Sequence, residues 1–160
     1  MADFFAAPRS RESEPRISEL FANAPHAATT NWAVPEAFLA VLLAAVLSDG
    51  ELAAVEQEEL LALAHRSRAL KSLSPSQLNE FSLMVAARLR DEPDALQAAC
   101  AALPEDMRQP LFAHALDLVL ADGDLTTDEA DFLNTLILSL KLDREDVSRI
   151  TDVIVLKNRY

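Results

Sequence analysis

Basic charge, glycine, cysteine and aromatic side chains are all scarce in this chain, and each shortage closes off a class of function. Fourteen Lys and Arg stand against 26 Asp and Glu, a net charge of −12. Binding nucleic acid requires cations that displace counterions from phosphates, so this balance argues against it, and equally against docking on anionic lipid. With a single cysteine, Cys100, there is no internal disulfide, which suits a reducing compartment. Two isolated glycines cannot build a nucleotide-binding glycine loop. The longest apolar run, Phe38–Leu47, falls far short of the ~20 residues that span a bilayer. The opening MADFFAAPRSRE lacks the apolar stretch of a signal peptide. The expectation is a cytoplasmic protein that inserts in no membrane and binds no nucleic acid.

What the chain does have is alanine and leucine, with half its residues apolar. Few β-branched or aromatic residues accompany them, which favours an all-α domain. The two glycines organise it. Gly50 and Gly123 each follow an Asp and precede an acidic residue and a Leu, in AVLSDGELAAVE and LVLADGDLTTDE. They stand 73 residues apart (123 − 50). Two rare residues in the same frame imply an internal duplication. The spacing predicts seven to eight helices in two related halves, about 35–90 and 105–156, within a domain of residues 31–160.

Residues 1–30 read as a disordered N-terminal segment rich in Pro, Arg, Ser and Glu at its start. Ile17, Leu20 and Phe21 after Pro15 have the spacing of a short amphipathic helix, and Ala24–Thr30 reads as a linker. Trp32 is placed to pin the chain to the core. Pro35 opens a helix apolar on nearly every face, which belongs in a core. The next runs from about Ala53 to Ser67, with Leu60, Leu63 and Ala64 inward. Ser74-Pro75-Ser76-Gln77 carries a capping-box spacing. It starts a helix with Leu78, Phe81, Val85 and Leu89 as its buried stripe. A short Ala-rich helix follows around Pro93–Leu103. Pro110 predicts a break before a helix over Leu111–Ala121, expected to pack centrally beside Phe38–Ser48. The last two helices start at Thr126 and Asp143. Their inward sets are Phe132, Leu133, Leu136, Ile137 and Leu140, then Val147, Ile150, Val153 and Ile154.

The candidate site is the pair of Asp-Gly turns, with Asp49, Glu51 and Glu56 in one and Asp122, Asp124, Asp128 and Glu129 in the other. Clustered carboxylates suit a hard cation, Ca²⁺ or Mg²⁺. The pattern D-G-x-L-x-x-x-E matches the second half of an EF-hand loop. The first half fails in both copies, because Leu118 and Leu120, or Ala45 and Leu47, hold positions that need acidic or amide ligands. An ion would then be shared between the turns and completed by water. The structural alternative is plain architecture: Glu129 closing a capping box with Thr126. Ala53 rules out the same box for Glu56. His26, His65 and His114 are scattered, which argues against zinc, and Cys100 in AACAAL reads as a small buried hydrophobe. Arg66, Arg68 and Lys71 read as a solvated helix end.

SDGELAAVEQEEL and ADGDLTTDEADFL, with LKLDREDV after the second, resemble the TerB family of tellurite-resistance proteins over roughly residues 35–150. The resemblance implies an all-α fold of two pseudo-symmetric halves. It also implies a metal-binding acidic cluster, carried over to Asp49, Glu51, Glu56, Asp122, Asp124 and Glu129. It further implies a non-enzymatic role in bacterial stress response with protein partners, some membrane-associated. Where family members commonly place a Lys soon after the Glu, this chain has Gln57 and Ala130. Three readings follow: a cation-binding TerB-like module, a metal-free adaptor for protein partners, and, last, an enzyme using paired carboxylates.

Overall fold

The computed structural model describes residues 32–48 and 54–160, and the side chains of all of these except 54–57. The N-terminal segment with its Ile17–Phe21 helix, His26, the Ala24–Thr30 linker, the Asp49-Gly50-Glu51 turn and the Glu56 side chain lie outside the described residues. Among those described there are seven helices and no strand. They are α1 (Val34–Val46), α2 (Ala54–Arg66), α3 (Pro75–Asp91), α4 (Ala95–Ala102), α5 (Glu105–Val119), α6 (Thr127–Ser139) and α7 (Arg144–Lys157).

α1 lies at the centre because its sequence offers no polar face. From Ala37 to Val46 all but one residue are buried. It packs on α3, α4 and α5, and to a lesser degree on α2 and α6. Its first turn holds Pro35, whose missing N–H costs nothing there. Glu36 accepts from the Ala33 N–H at 3.1 Å. Just ahead, Trp32 is buried under the Arg88 guanidinium, 3.7 Å from its ring centre, and Arg88 also faces Glu36 at 3.7 Å. The expected pin is therefore an indole–guanidinium stack joining the start of α1 to the end of α3.

The duplication is visible as structure. α1 and α5 end at residues 46 and 119, and α2 and α6 span 54–66 and 127–139, all displaced by 73 (119 − 46, 127 − 54). The expected caps are present. Ser74 Oγ accepts from the Gln77 N–H at 3.2 Å while Gln77 returns an oxygen to the Ser74 N–H at 2.9 Å. α6 ends in a left-handed residue, Lys141, with φ of 55°. The Lys141 and Leu142 N–H groups donate to Leu138 and Ile137 carbonyls, the Schellman arrangement.

Two expectations need correction. Pro110 does not break the chain before α5; the helix starts at Glu105 and runs through it. The carbonyl freed at Asp106 lies on an exposed turn, and burial of Leu111 and Phe112 just after Pro110 holds this part of the helix against the core. α5 is central, as expected, but less enclosed than α1: it packs on α1, α7, α6 and α2 with Leu111, Phe112, Ala115, Leu116 and Val119 buried, while Glu105, Asp106, Gln109 and Pro110 stay exposed. Val153 is not inward but 63% exposed, and no residue of α7 is fully buried.

Candidate functional site

α5 ends at Val119 and the chain must turn before α6 can begin. The Gly123 N–H donates to the Leu120 carbonyl at 3.2 Å, with Gly123 at φ of +93°, a conformation that penalises any Cβ. The turn leaves Asp122 and Asp124 exposed on either side of the glycine. Asp128, in the first turn of α6, is exposed as well. Glu129 behaves differently. It is one of two buried polar residues in the described core. Its Oε2 accepts from the Thr126 N–H at 2.7 Å and from Thr126 Oγ1 at 2.9 Å, while Thr126 Oγ1 accepts from the Glu129 N–H at 3.3 Å. Glu129 is thus bound up in the cap of α6, and the exposed carboxylates of this stretch are Asp122, Asp124 and Asp128. Among the described residues, no three His, Cys, Asp or Glu side chains converge as a metal-holding group.

Beside this turn runs a cleft of about 210 Å³, between α2, α5 and the end of α7. Ala121, the residue before Asp122, lines it, together with Glu59 and Arg66 of α2. Its polar centre is Asp117. Lys157 Nζ donates to both Asp117 oxygens at 2.7 Å, and Asn158 Nδ2 to one of them at 2.9 Å. Burial opposes ionisation of Asp117, but the bonds from Lys157 and Asn158, and the charges of Lys157 and His114, outweigh it. The carboxyl is held below its usual range. One turn earlier, His114 sets its ring edge-to-face with Phe38, centroids 6.2 Å apart. Burial depresses the His114 pKa; Asp117 pulls it up, while Arg66 and Lys157 add to the depression. His114 is therefore neutral at pH 7, and the cleft balances Arg66 and Lys157 against Glu59 and Asp117.

Sequence reading missed this constellation. The His114–Asp117 spacing on one helix was visible, but Lys157 lies 40 residues further on and no local pattern links it. Cys100 is fully buried, and burial pushes its thiol up to about 12, so it is the small hydrophobe expected. Arg66 and Arg68 are exposed, and Arg66 Nε donates to the Ala62 carbonyl at 3.3 Å, as expected of a solvated helix end.

Searches of curated proteins and of solved structures return no match. A family model described as Tellurite resistance protein TerB matches residues 35–152. That span runs from the first turn of α1 well into α7, takes in the helix pairs α1–α2 and α5–α6 and both Asp-Gly motifs, and places the chain in the TerB family.

Proposed function

We propose that this TerB-family chain is a non-enzymatic module of a bacterial stress-response system. In this reading its Asp-Gly turns offer Ca²⁺ or Mg²⁺ a weak, water-completed site, and the ion sets the surface shown to a protein partner, cytoplasmic or membrane-associated. One observation supports it above others: the 73-residue offset sets each Asp-Gly motif between equivalent helices, and the described turn leaves Asp122 and Asp124 exposed. In kind, carboxylate oxygens fit a hard cation. In number, one turn falls short, because Glu129 is engaged by Thr126. A full shell draws on Asp49 and Glu51 of the first turn and on several waters, which implies an affinity no tighter than about millimolar.

A metal-free adaptor is the second reading, and the capped Glu129 favours it, since that carboxylate already has a structural task. Amide NMR of the whole chain during Ca²⁺ and Mg²⁺ titration separates the two. Saturable shifts at both turns, lost in Asp49→Asn/Asp122→Asn, are expected. Flat spectra at millimolar ion would sink the cation reading and leave the adaptor.

A further inference from the structure

We propose that the cleft between α2 and α5 binds a small zwitterion, an α-amino acid with a short apolar side chain, its ammonium at Glu59 and its carboxylate at Arg66. The repeat supplies the contrast that marks this cleft. α2 packs on α5 as α6 packs on α1, each the second helix of one half lying on the first helix of the other. At the α6–α1 contact the frame places Phe132 and Ser139 on one helix and Val41 and Ala44 on the other. Val41 is fully buried there and Phe132 packs on the core. At the α2–α5 contact the same four positions hold Glu59, Arg66, His114 and Asp117, and all four line a cleft of about 210 Å³. One frame closes with hydrocarbon; its twin opens a cavity with apolar walls and a few convergent polar groups, the form of a ligand site.

Those polar groups divide into used and unused. Lys157, Asp117 and Asn158 satisfy one another at one end of the cleft. Arg66 commits only Nε, to the Ala62 carbonyl, which leaves both Nη groups without a partner among the described residues. The Glu59 carboxylate and the His114 ring nitrogens likewise make no hydrogen bond or ion pair among those residues. Glu59 and Arg66 share one face of α2 but stand seven residues apart, about 10 Å along the axis, too far to neutralise each other. An amino acid fits that gap. Its charged groups are ~3 Å apart, and a hydrogen bond of ~2.9 Å at each end gives a span of ~9 Å. The two free Nη groups match a carboxylate with parallel bonds, while a bare carboxylate or a bare amine would satisfy one end alone.

Size narrows the ligand further. The cleft equals about seven waters at ~30 Å³ each, below the ~300 Å³ at which pockets for drug-sized ligands begin. A nucleotide does not fit. Leu63, Leu118 and Ala121 on the walls suit a short aliphatic side chain and offer a further charge no partner.

Amide NMR of the ¹⁵N-labelled whole chain tests this, with L-alanine, propionate and ethylamine as probes at matched ionic strength. Metal-free buffer keeps the outcome separate from the cation reading. L-Alanine should shift the amides of Ala62, Arg66, Leu118 and Ala121 saturably. It should bind at least about tenfold more tightly than propionate or ethylamine, each of which lacks one charge-assisted contact. Glu59→Gln and Arg66→Met change side chains outside the buried core and should each weaken L-alanine by a similar factor. Glu59→Gln should leave propionate binding as it was. Absence of shifts at these amides overturns the proposal. So does propionate binding as tightly as L-alanine, or L-alanine binding that neither variant weakens.

Discussion

His114 shows how one residue turns burial into a pH response. Its imidazole packs against Phe38 with Arg66 and Lys157 nearby, so the folded state binds its proton less readily than the unfolded chain does. A histidine with a depressed folded pKa contributes stability above the unfolded value, near 6.5, that is lost as pH falls through the folded value. Asp117, also depressed, adds a second loss that begins only below about its ordinary 3.8. The wild-type denaturation midpoint should therefore decline between pH 7 and 5, and His114→Gln should flatten that limb while keeping the steeper acid loss. Parallel limbs in the two proteins would show that His114 carries none of the dependence. Glu129 makes the complementary point. The Thr126-x-x-Glu129 pairing was legible in the sequence because a capping box is local. That Oε2 takes both Thr126 donors, and that the carboxylate is buried, was not.

At the scale of elements, helix starts were legible and helix surroundings were not. Ser74, Thr126 and Asp143 all cap as read, since a cap needs only its next three residues. α6 ends less comfortably, on Lys141 at φ of 55°, inside the LKLDREDV segment. A Cβ in the left-handed region costs about 1 kcal/mol, and glycine avoids it. Lys141→Gly should therefore stabilise the protein by up to about 1 kcal/mol, offset by the freedom glycine adds to the unfolded chain. Chemical denaturation measures it; a clear destabilisation would show that the Lys141 side chain contributes more than its backbone strain. Pro110 was misread for a reason of the same scale. An interior proline loses one hydrogen bond and crowds the i−4 carbonyl, and the helix continues where packing of its neighbours outweighs that cost. Here Leu111 and Phe112 hold the helix and the Asp106 turn is exposed.

For the whole molecule, the duplication does not make two domains. α1 of the first half is buried by α3 of its own half, by α4 and by α5 of the second. Residues 32–103 alone would expose the faces of α1 and α4 that α5, α6 and their neighbours cover. That fragment and residues 104–160 should each show weak helicity and no cooperative melt by circular dichroism. Mixing them should restore the buried emission of Trp32, the single tryptophan. A cooperative melt of 32–103 by itself would show that the halves are autonomous.

The sequence by itself determined the helical class, the boundaries of most helices, the 73-residue repeat and the burial of α1. Each of these rests on periodicity or capping within a few residues, or on a motif that recurs. The tertiary structure alone decided which twin helix is the more enclosed. It also drew Lys157 onto Asp117 and turned Val153 outward. Those outcomes depend on elements forty or more residues apart competing for the same faces. α5 packs on α1, α7, α6 and α2 but leaves its first turns exposed, whereas α1 is enclosed along nearly all its length, so two helices in the same repeat frame end in different environments.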